Sequence, residues 1–145
     1  MFQLVRVTDE LPGDCERLRS AAAADGYRHL DRLSRDWDSS VQRFAGDGEA
    51  LLAAYQEGDL VGIGGVTREP SKSAEPALRL CRLFVHPGAR RNGAARTIVA
   101  ALVHEGFDNA PLLTAHAGDA RATAFWEAQG FQPVTGRAWS HELRR

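Results

Sequence analysis

Short runs of apolar and β-branched residues alternate along the chain with polar stretches rich in glycine and proline, and these runs predict its strands. The runs lie at residues 2–7, 50–55, 60–67, 77–85, 112–115, 131–134 and 139–143. Apolar side chains spaced three, four and seven residues apart predict helices instead. That spacing occurs over residues 15–24, 27–38, about 93–106 and 119–130.

The mixture of helices with hairpin-type connections favours an α+β fold. We expect a mixed, mostly antiparallel sheet of about seven strands flanked by about four helices. The polar residues 56–59, which contain Gly-Asp, predict a tight hairpin between two apolar runs. Gly62, Gly64 and Gly65 predict a bulge or a close packing contact in the second of these runs. Because the 145 residues show no repeat and no boundary, we expect a single domain over residues 1–145.

One stretch joins a strand, a basic turn and a helix. The strand reaches residue 85, residues 90–95 read RRNGAA, and the predicted helix follows directly. The first N–H groups of a helix have no intrahelical acceptor and carry partial positive charge, so a helix start of this kind can hold phosphate. Gly93 lets an anion approach the backbone, and the small side chains of Ala94 and Ala95 do not block it.

Two motifs in this half of the chain resemble those of one family. Residues 90–95 fit R/Q-x-x-G-x-G/A, the acetyl-CoA pyrophosphate loop of GNAT-type N-acetyltransferases. Residues 119–131 are similar to the family's N-x-x-A-x-x-F-Y-x-x-x-G-F, with both motifs in the family's order and spacing. The resemblance extends over residues 50–134.

The resemblance implies a fold and a cofactor site. The strands before and after the loop's helix would run parallel and splay apart, and acetyl-CoA would enter this wedge. A backbone N–H of the strand that precedes the loop, assigned to Val85, would stabilise the oxyanion that forms from the thioester carbonyl. The implied cofactor-binding residues are Leu83, Phe84, Val85, Arg90, Arg91, Asn92, Gly93, Ala94, Ala95, Arg96, Asp119, Phe125 and Trp126. The implied reaction is acetyl transfer from acetyl-CoA to a primary amine by direct attack in a ternary complex.

Three positions depart from the family pattern. Trp126 stands where relatives commonly carry a tyrosine acid, and an indole N–H is not a usable acid. Asp119 replaces asparagine and can only accept hydrogen bonds, although it suits a helix N-cap. Arg79 lies near the place of the family's glutamate base, which leaves the base open. His116 is the leading catalytic candidate, because it ends the strand beside the wedge and histidine titrates near neutrality.

These departures keep a second interpretation open, a non-catalytic acyl-CoA-binding sensor or regulatory module on the same fold. A nucleotide-binding protein is disfavoured, because the chain has no G-x-x-x-x-G-K-[ST] motif.

Composition narrows the partners. A net charge of -1 argues against nucleic acid or an anionic membrane, and no apolar run approaches the ~20 residues of a membrane span. The first residues do not resemble a signal peptide, so a cytoplasmic location is expected. We expect no metal and no disulfide framework, since Cys15 and Cys81 are far apart and no residues have metal-ligand spacing. The expected partners are acetyl-CoA and an amine-bearing small molecule, peptide or protein, with the chain a monomer or a homodimer.

Overall fold

A computed structural model describes residues 2–90 and 92–145. Four helices are present in this part of the chain: α1 (Cys15–Ala24), α2 (His29–Asp38), α3 (Ala94–Phe107) and α4 (Ala120–Ala128). The strands are β1 (Gln3–Arg6), β2 (Ala50–Gln56), β3 (Asp59–Arg68), β4 (Ala77–Val85), β5 (Leu112–Ala115), β6 (Gln132–Pro133) and β7 (His141–Arg144). A short 3-10 turn, Pro87–Ala89, follows β4. None of the helices in the described residues is long and apolar enough to cross a membrane.

The strands form one seven-stranded sheet in the order β1-β2-β3-β4-β5-β7-β6. Five of its neighbouring pairs are antiparallel, and β4 pairs with β5 in parallel. The helix α3 makes the crossover between these two parallel strands, as a parallel connection requires. The expected α+β fold, with a mixed sheet and four helices, is confirmed.

Helices cover both faces of the sheet, and strand alternation assigns each residue to a face. Leu51 and Ala53 of β2 pack with the helices α1 and α2. Leu52 and Ala54 point the other way, into the core that contains α3 and Trp126 of α4. The sheet therefore separates two apolar cores. Burying a leucine side chain completely, as at Leu51, stabilises the fold by roughly 1.5–3 kcal/mol.

The glycines of β3 produce both features expected of them. The register between β2 and β3 shifts between Ala54 and Tyr55, where β3 carries Val61 as an extra residue next to Gly62, which marks a bulge. A Cβ on Gly64 would lie 2.8 Å from Cγ2 of Ile98, and one on Gly62 would lie 3.1 Å from Cδ1 of the same residue. Because Gly62 and Gly64 have no side chains, α3 can pack close against the sheet.

Several element boundaries differ from expectation by one or two residues, and two of these differences have a visible structural cause. The helix α2 begins at His29 rather than at residue 27, because Gly26 (φ +87°) closes α1 and the N–H of Tyr27 donates to the Ala22 carbonyl at 2.9 Å. The last strand begins at His141 rather than at residue 139, since Trp139 is buried against Ala77 and Leu112 ahead of the strand.

The close seat of α3 gives a stability prediction. Gly64→Ala should lower the free energy of unfolding by about 1–3 kcal/mol, because the new methyl group overlaps Ile98. Gly13→Ala is the matched control: nothing lies within 4 Å of its Cβ position, so a change within about 0.5 kcal/mol is expected. Denaturant titration measures both variants, and equal losses would show that α3 does not depend on the glycine.

Candidate functional site

The pairing of β4 with β5 is short. It comprises Ala77 with Leu112, Leu78 with Leu113, and Arg79 with Thr114. The strand β4 runs on to Val85 with no further pair to β5 in the described residues. The two strands thus part after Arg79, and we call the space between residues 80–85 and the end of β5 the wedge.

The last parallel pair is held by a buried carboxylate. Glu69 is 7% exposed, and its Oε1 accepts from Nε of Arg79 at 2.8 Å and from Oγ1 of Thr114 at 2.7 Å. Its Oε2 accepts from Nη2 of Arg79 at 3.1 Å and from the Ser71 N–H at 2.7 Å. Burial alone would raise the pKa of Glu69, but the hydrogen bonds from Thr114, Ser71 and Arg79 outweigh it and hold the pKa below its ordinary value. Glu69 is therefore an ionised clamp on the two strands, and Arg79 is its ion-pair partner.

The strand β4 bulges where it borders the wedge. Ile63 pairs with Phe84, whereas Gly65 pairs with Cys81, so β4 carries one extra residue between these pairs. Arg82 in this bulge has a φ of +56°, a left-handed conformation that costs a residue with a side chain roughly 1–2 kcal/mol. Such conformations persist where the surrounding structure enforces them, and they are frequent at functional sites.

The backbone of Val85 faces the wedge. In an antiparallel ladder, alternate residues exchange hydrogen bonds with the partner strand. The His86 N–H donates to the Val61 carbonyl at 2.8 Å, and Phe84 pairs with Ile63 two residues earlier. Val85, between them, directs its N–H and carbonyl away from β3. Its N–H is thus directed to the β5 side of the sheet, and the oxyanion role of Val85 stays a prediction.

The N-terminus of α3 is the second wall of the site. Gly93 is its N-cap residue with a φ of +85°, a conformation that suits glycine. In the part of the chain that the structure describes, no acceptor is hydrogen-bonded to the backbone N–H groups of residues 92–96. The guanidinium of Arg96 lies beside Gly93, 3.4 Å from the place of a Cβ there. Arg91, predicted to contact phosphate, lies outside the described residues.

The side chain of Arg90 has partners within the protein. Its Nη2 donates to Oδ2 of Asp25 at 2.7 Å, and its Nε donates to the Val85 carbonyl at 3.2 Å. The guanidinium also lies over the ring of Phe84, 5.3 Å from its centroid. The cofactor contact predicted for Arg90 stays a prediction, and a phosphate would compete with Asp25 for this guanidinium.

The connection between α1 and α2 reaches both sides of the wedge. Asp25 binds Arg90 after β4 and lies 3.9 Å from Arg121 of α4. The hydroxyl of Tyr27 donates to Oδ2 of Asp119 at 2.7 Å. Oδ1 of Asp119 accepts from the Ala122 N–H at 2.8 Å, which confirms its N-cap role. Both carboxylate oxygens of Asp119 thus have protein partners, so its predicted cofactor contact would compete with Tyr27.

The two aromatic residues of α4 differ in environment. Trp126 is 6% exposed and packs edge-to-face on Phe131, with ring centroids 5.1 Å apart. It belongs to the core, whereas its neighbour Phe125 is only partly buried against that core. The large apolar indole is used for packing, so of the two predicted cofactor contacts Phe125 is the more accessible.

Two histidines beside the wedge differ in their surroundings, and the contact that His29 makes was not predicted from the sequence. His116 is exposed just after β5 and has no hydrogen-bond partner among the described residues, and its catalytic assignment stays a prediction. His29 is half-buried, and its Nε2 lies 2.9 Å from the Leu83 carbonyl at the bulge. No local sequence signal marks this contact, because its partner lies 54 residues away.

Metal chemistry has no visible support in the described residues. Over residues 2–90 and 92–145, no three His, Cys, Asp or Glu side chains come together as a possible metal site.

A family model described as "Acetyltransferase (GNAT) family" matches residues 14–131. The chain belongs to this family. The match covers the parted strands, the glycine-capped helix and the α4 motif, so acetyl-CoA-dependent acyl transfer is the chemistry of its family.

Solved structures agree on the fold. A protein from Exiguobacterium sp. 255-15 has a TM-score of 0.87 at 23% identity, covering 99% of this chain and 93% of the other. The ribosomal-protein-alanine N-acetyltransferase of Brucella melitensis has a TM-score of 0.69 at 22% identity, covering 99% of both chains. The Bacillus subtilis N-acetyltransferase YlbP, solved with coenzyme A, has a TM-score of 0.66 at 15% identity, covering 100% of this chain and 97% of the other. No curated protein matches the chain significantly in sequence.

The Glu69 clamp predicts a pH-dependent stability. Because the folded pKa of Glu69 is lowered, its contribution is complete above its ordinary pKa of about 4.3 and is lost as the pH falls through the folded value. Glu69→Gln should cost about 1.5–3 kcal/mol of unfolding free energy at pH 7 and progressively less as the pH falls below about 4.

The matched control is Glu75→Gln, which removes the charge of an exposed pair with Arg144 and should cost under about 1 kcal/mol. Urea titrations across the pH range measure both. A loss at Glu69 that does not diminish in acid would contradict the clamp.

Proposed function

We propose that this protein transfers an acetyl group from acetyl-CoA to a primary amine by direct attack within a ternary complex. The observation that carries this proposal is the juxtaposition of two features. Backbone N–H groups at residues 92–96, which have no hydrogen-bond acceptor among the described residues, start α3, and the parted edge of β4 lies directly before them in the chain. A long, bent cofactor with a diphosphate at its middle suits such an arrangement, because one feature binds anions and the other binds an extended amide chain.

The pyrophosphate would lie against the start of α3. The macrodipole and the N–H groups of residues 92–96 both favour negative charge there, and the guanidinium of Arg96 adds a nearby cation. The positive φ of Gly93 turns the backbone into the helix without a Cβ at the anion's approach.

The thioester would lie beside the bulge. An amide hydrogen at the free edge of β4, for which Val85 is the proposed donor, would stabilise the oxyanion that forms as the amine attacks. Holding acetyl-CoA and the amine together removes much of the entropic barrier, and no covalent acyl-enzyme is needed. Since Trp126 is buried and is not an acid, the departing thiolate would take its proton from water.

A second function keeps the same cofactor site without turnover. The Trp126 and Arg79 positions, where relatives carry an acid and a base, favour an acyl-CoA-binding sensor to some extent. The release of free CoA thiol, followed with acetyl-CoA and a panel of amino acids, polyamines, aminoglycosides and peptides, separates the two. Turnover with any amine supports the enzyme, whereas tight binding without turnover supports the sensor.

The cofactor loop gives a direct prediction. Gly93→Glu should abolish measurable acetyl-CoA binding, because it places a carboxylate and a side chain where the pyrophosphate would approach. Isothermal calorimetry measures the affinity.

Gly58→Glu is the matched control, since Gly58 has nearly the same φ, +86° against +85°, and open space at its Cβ. Its backbone strain is equal, and its affinity should stay within about threefold of the parent, well under 1.4 kcal/mol. Unchanged binding in Gly93→Glu, or equal losses in both variants, would remove the loop from the site.

A further inference from the structure

His29 is the first residue of α2, and it lies against the bulge of β4 on the sheet face that α1 and α2 cover. Its Nε2 is 2.9 Å from the carbonyl oxygen of Leu83. Its ring makes edge contacts with Phe84 of the same strand, at 6.2 Å between centroids, and with Tyr27, at 5.8 Å. Three contacts from two elements thus fix the plane of this imidazole beside the proposed thioester position.

The hydrogen bond sets the tautomer. A carbonyl oxygen only accepts, so Nε2 carries the hydrogen and the neutral ring presents a lone pair at Nδ1. Nδ1 has no partner in the described part of the chain. Among the described residues, every fully buried side-chain nitrogen or oxygen has a hydrogen-bond partner, so an atom without a partner is not fully buried. Nδ1 therefore opens onto space that solvent can reach.

The surroundings favour the neutral ring. Burial and the positive charge of Arg82 lower the pKa of His29, and the hydrogen bond to Leu83 opposes this only in part. Tyr27, the other titratable group in contact, is bonded to Asp119. At neutral pH the ring is thus largely a base with a fixed orientation.

We propose that Nδ1 of His29 accepts the proton of the attacking amine; this rests on the acetyl transfer proposed above. The lone pair of the amine nitrogen forms a bond to the thioester carbon, and the π electrons of the thioester carbonyl move to its oxygen. The proton passes from the amine nitrogen to Nδ1 of His29. Collapse of the tetrahedral intermediate then breaks the C–S bond, so that CoA leaves as the thiolate. The imidazolium keeps its bond to Leu83 and returns the proton to solvent, and the products are the amide and CoA.

Other candidates are less suited in this structure. Glu69 is ionised, but donors already occupy both of its oxygens. Both ring nitrogens of His141 are bonded, to Ser140 and to Glu127, and Nδ1 of His86 accepts from the Gly88 N–H. His116 is exposed and nothing in the described residues orients it. Of these groups, His29 alone combines a fixed ring with an open basic nitrogen at the bulge.

The first test is kinetic. With the best amine of the panel, His29→Ala should lower kcat about 10²–10⁴-fold and leave the acetyl-CoA affinity within about threefold. The parent's kcat/KM should rise with pH through a value below the ordinary histidine pKa of about 6.5, and that limb should vanish in the variant. Added imidazole should restore part of the lost rate, which a purely structural role would not allow.

His104→Ala, on the exposed face of α3, is the control and should behave like the parent. A parent-like pH profile in His29→Ala, or a limb that disappears in His116→Ala instead, overturns the proposal.

A second measurement needs no acceptor. Nitrogen-15 NMR of the histidine rings should show His29 as the neutral Nε2–H tautomer at pH 7. An Nδ1–H tautomer or a charged ring at that pH overturns the base even if the enzyme turns over. A parent that binds acetyl-CoA but acetylates no amine refutes the transferase function itself, and the base with it, whatever the tautomer.

Discussion

Parallel pairing between β4 and β5 ends at Arg79 and Thr114, and the whole candidate site depends on where it ends. The buried carboxylate of Glu69 binds both of these residues, so the strands are fastened at their last shared position. Beyond it, the bulge at Arg82 interrupts the regular ladder of β4, and the N–H and carbonyl of Val85 are directed away from β3. The ion pair of Glu69 with Arg79 and the bulge in β4 thus define the two ends of the wedge between β4 and β5.

The far end of the cleft is ordered by charge rather than by pairing. Asp25 binds the guanidinium of Arg90 and lies near that of Arg121, one from each side of the wedge. Besides the arginine side chains, the proposed anion site would use the backbone N–H groups at the start of α3, which suits a diphosphate because amide dipoles are fixed in place.

Local patterns in the sequence were enough to predict the elements, the strand-loop-helix device and the family. Apolar spacing and glycine positions are read within a few residues, and the φ of +85° at Gly93 is of that kind. The contacts that sequence reasoning missed join distant segments: Arg90 with Asp25, His29 with Leu83, and Glu69 with Thr114. A charged or titratable side chain takes the partner that folding brings near, and no local period encodes that partner.

The central claim is that the wedge and the start of α3 hold one acetyl-CoA molecule. A crystal structure with a non-hydrolysable acetyl-CoA analogue tests it most directly. The account predicts pyrophosphate oxygens within hydrogen-bond distance of the N–H groups of residues 92–96, with the pantetheine amides alongside residues 80–85. A cofactor bound elsewhere on the protein, or N–H groups of residues 92–96 occupied by protein acceptors in the complex, would contradict it.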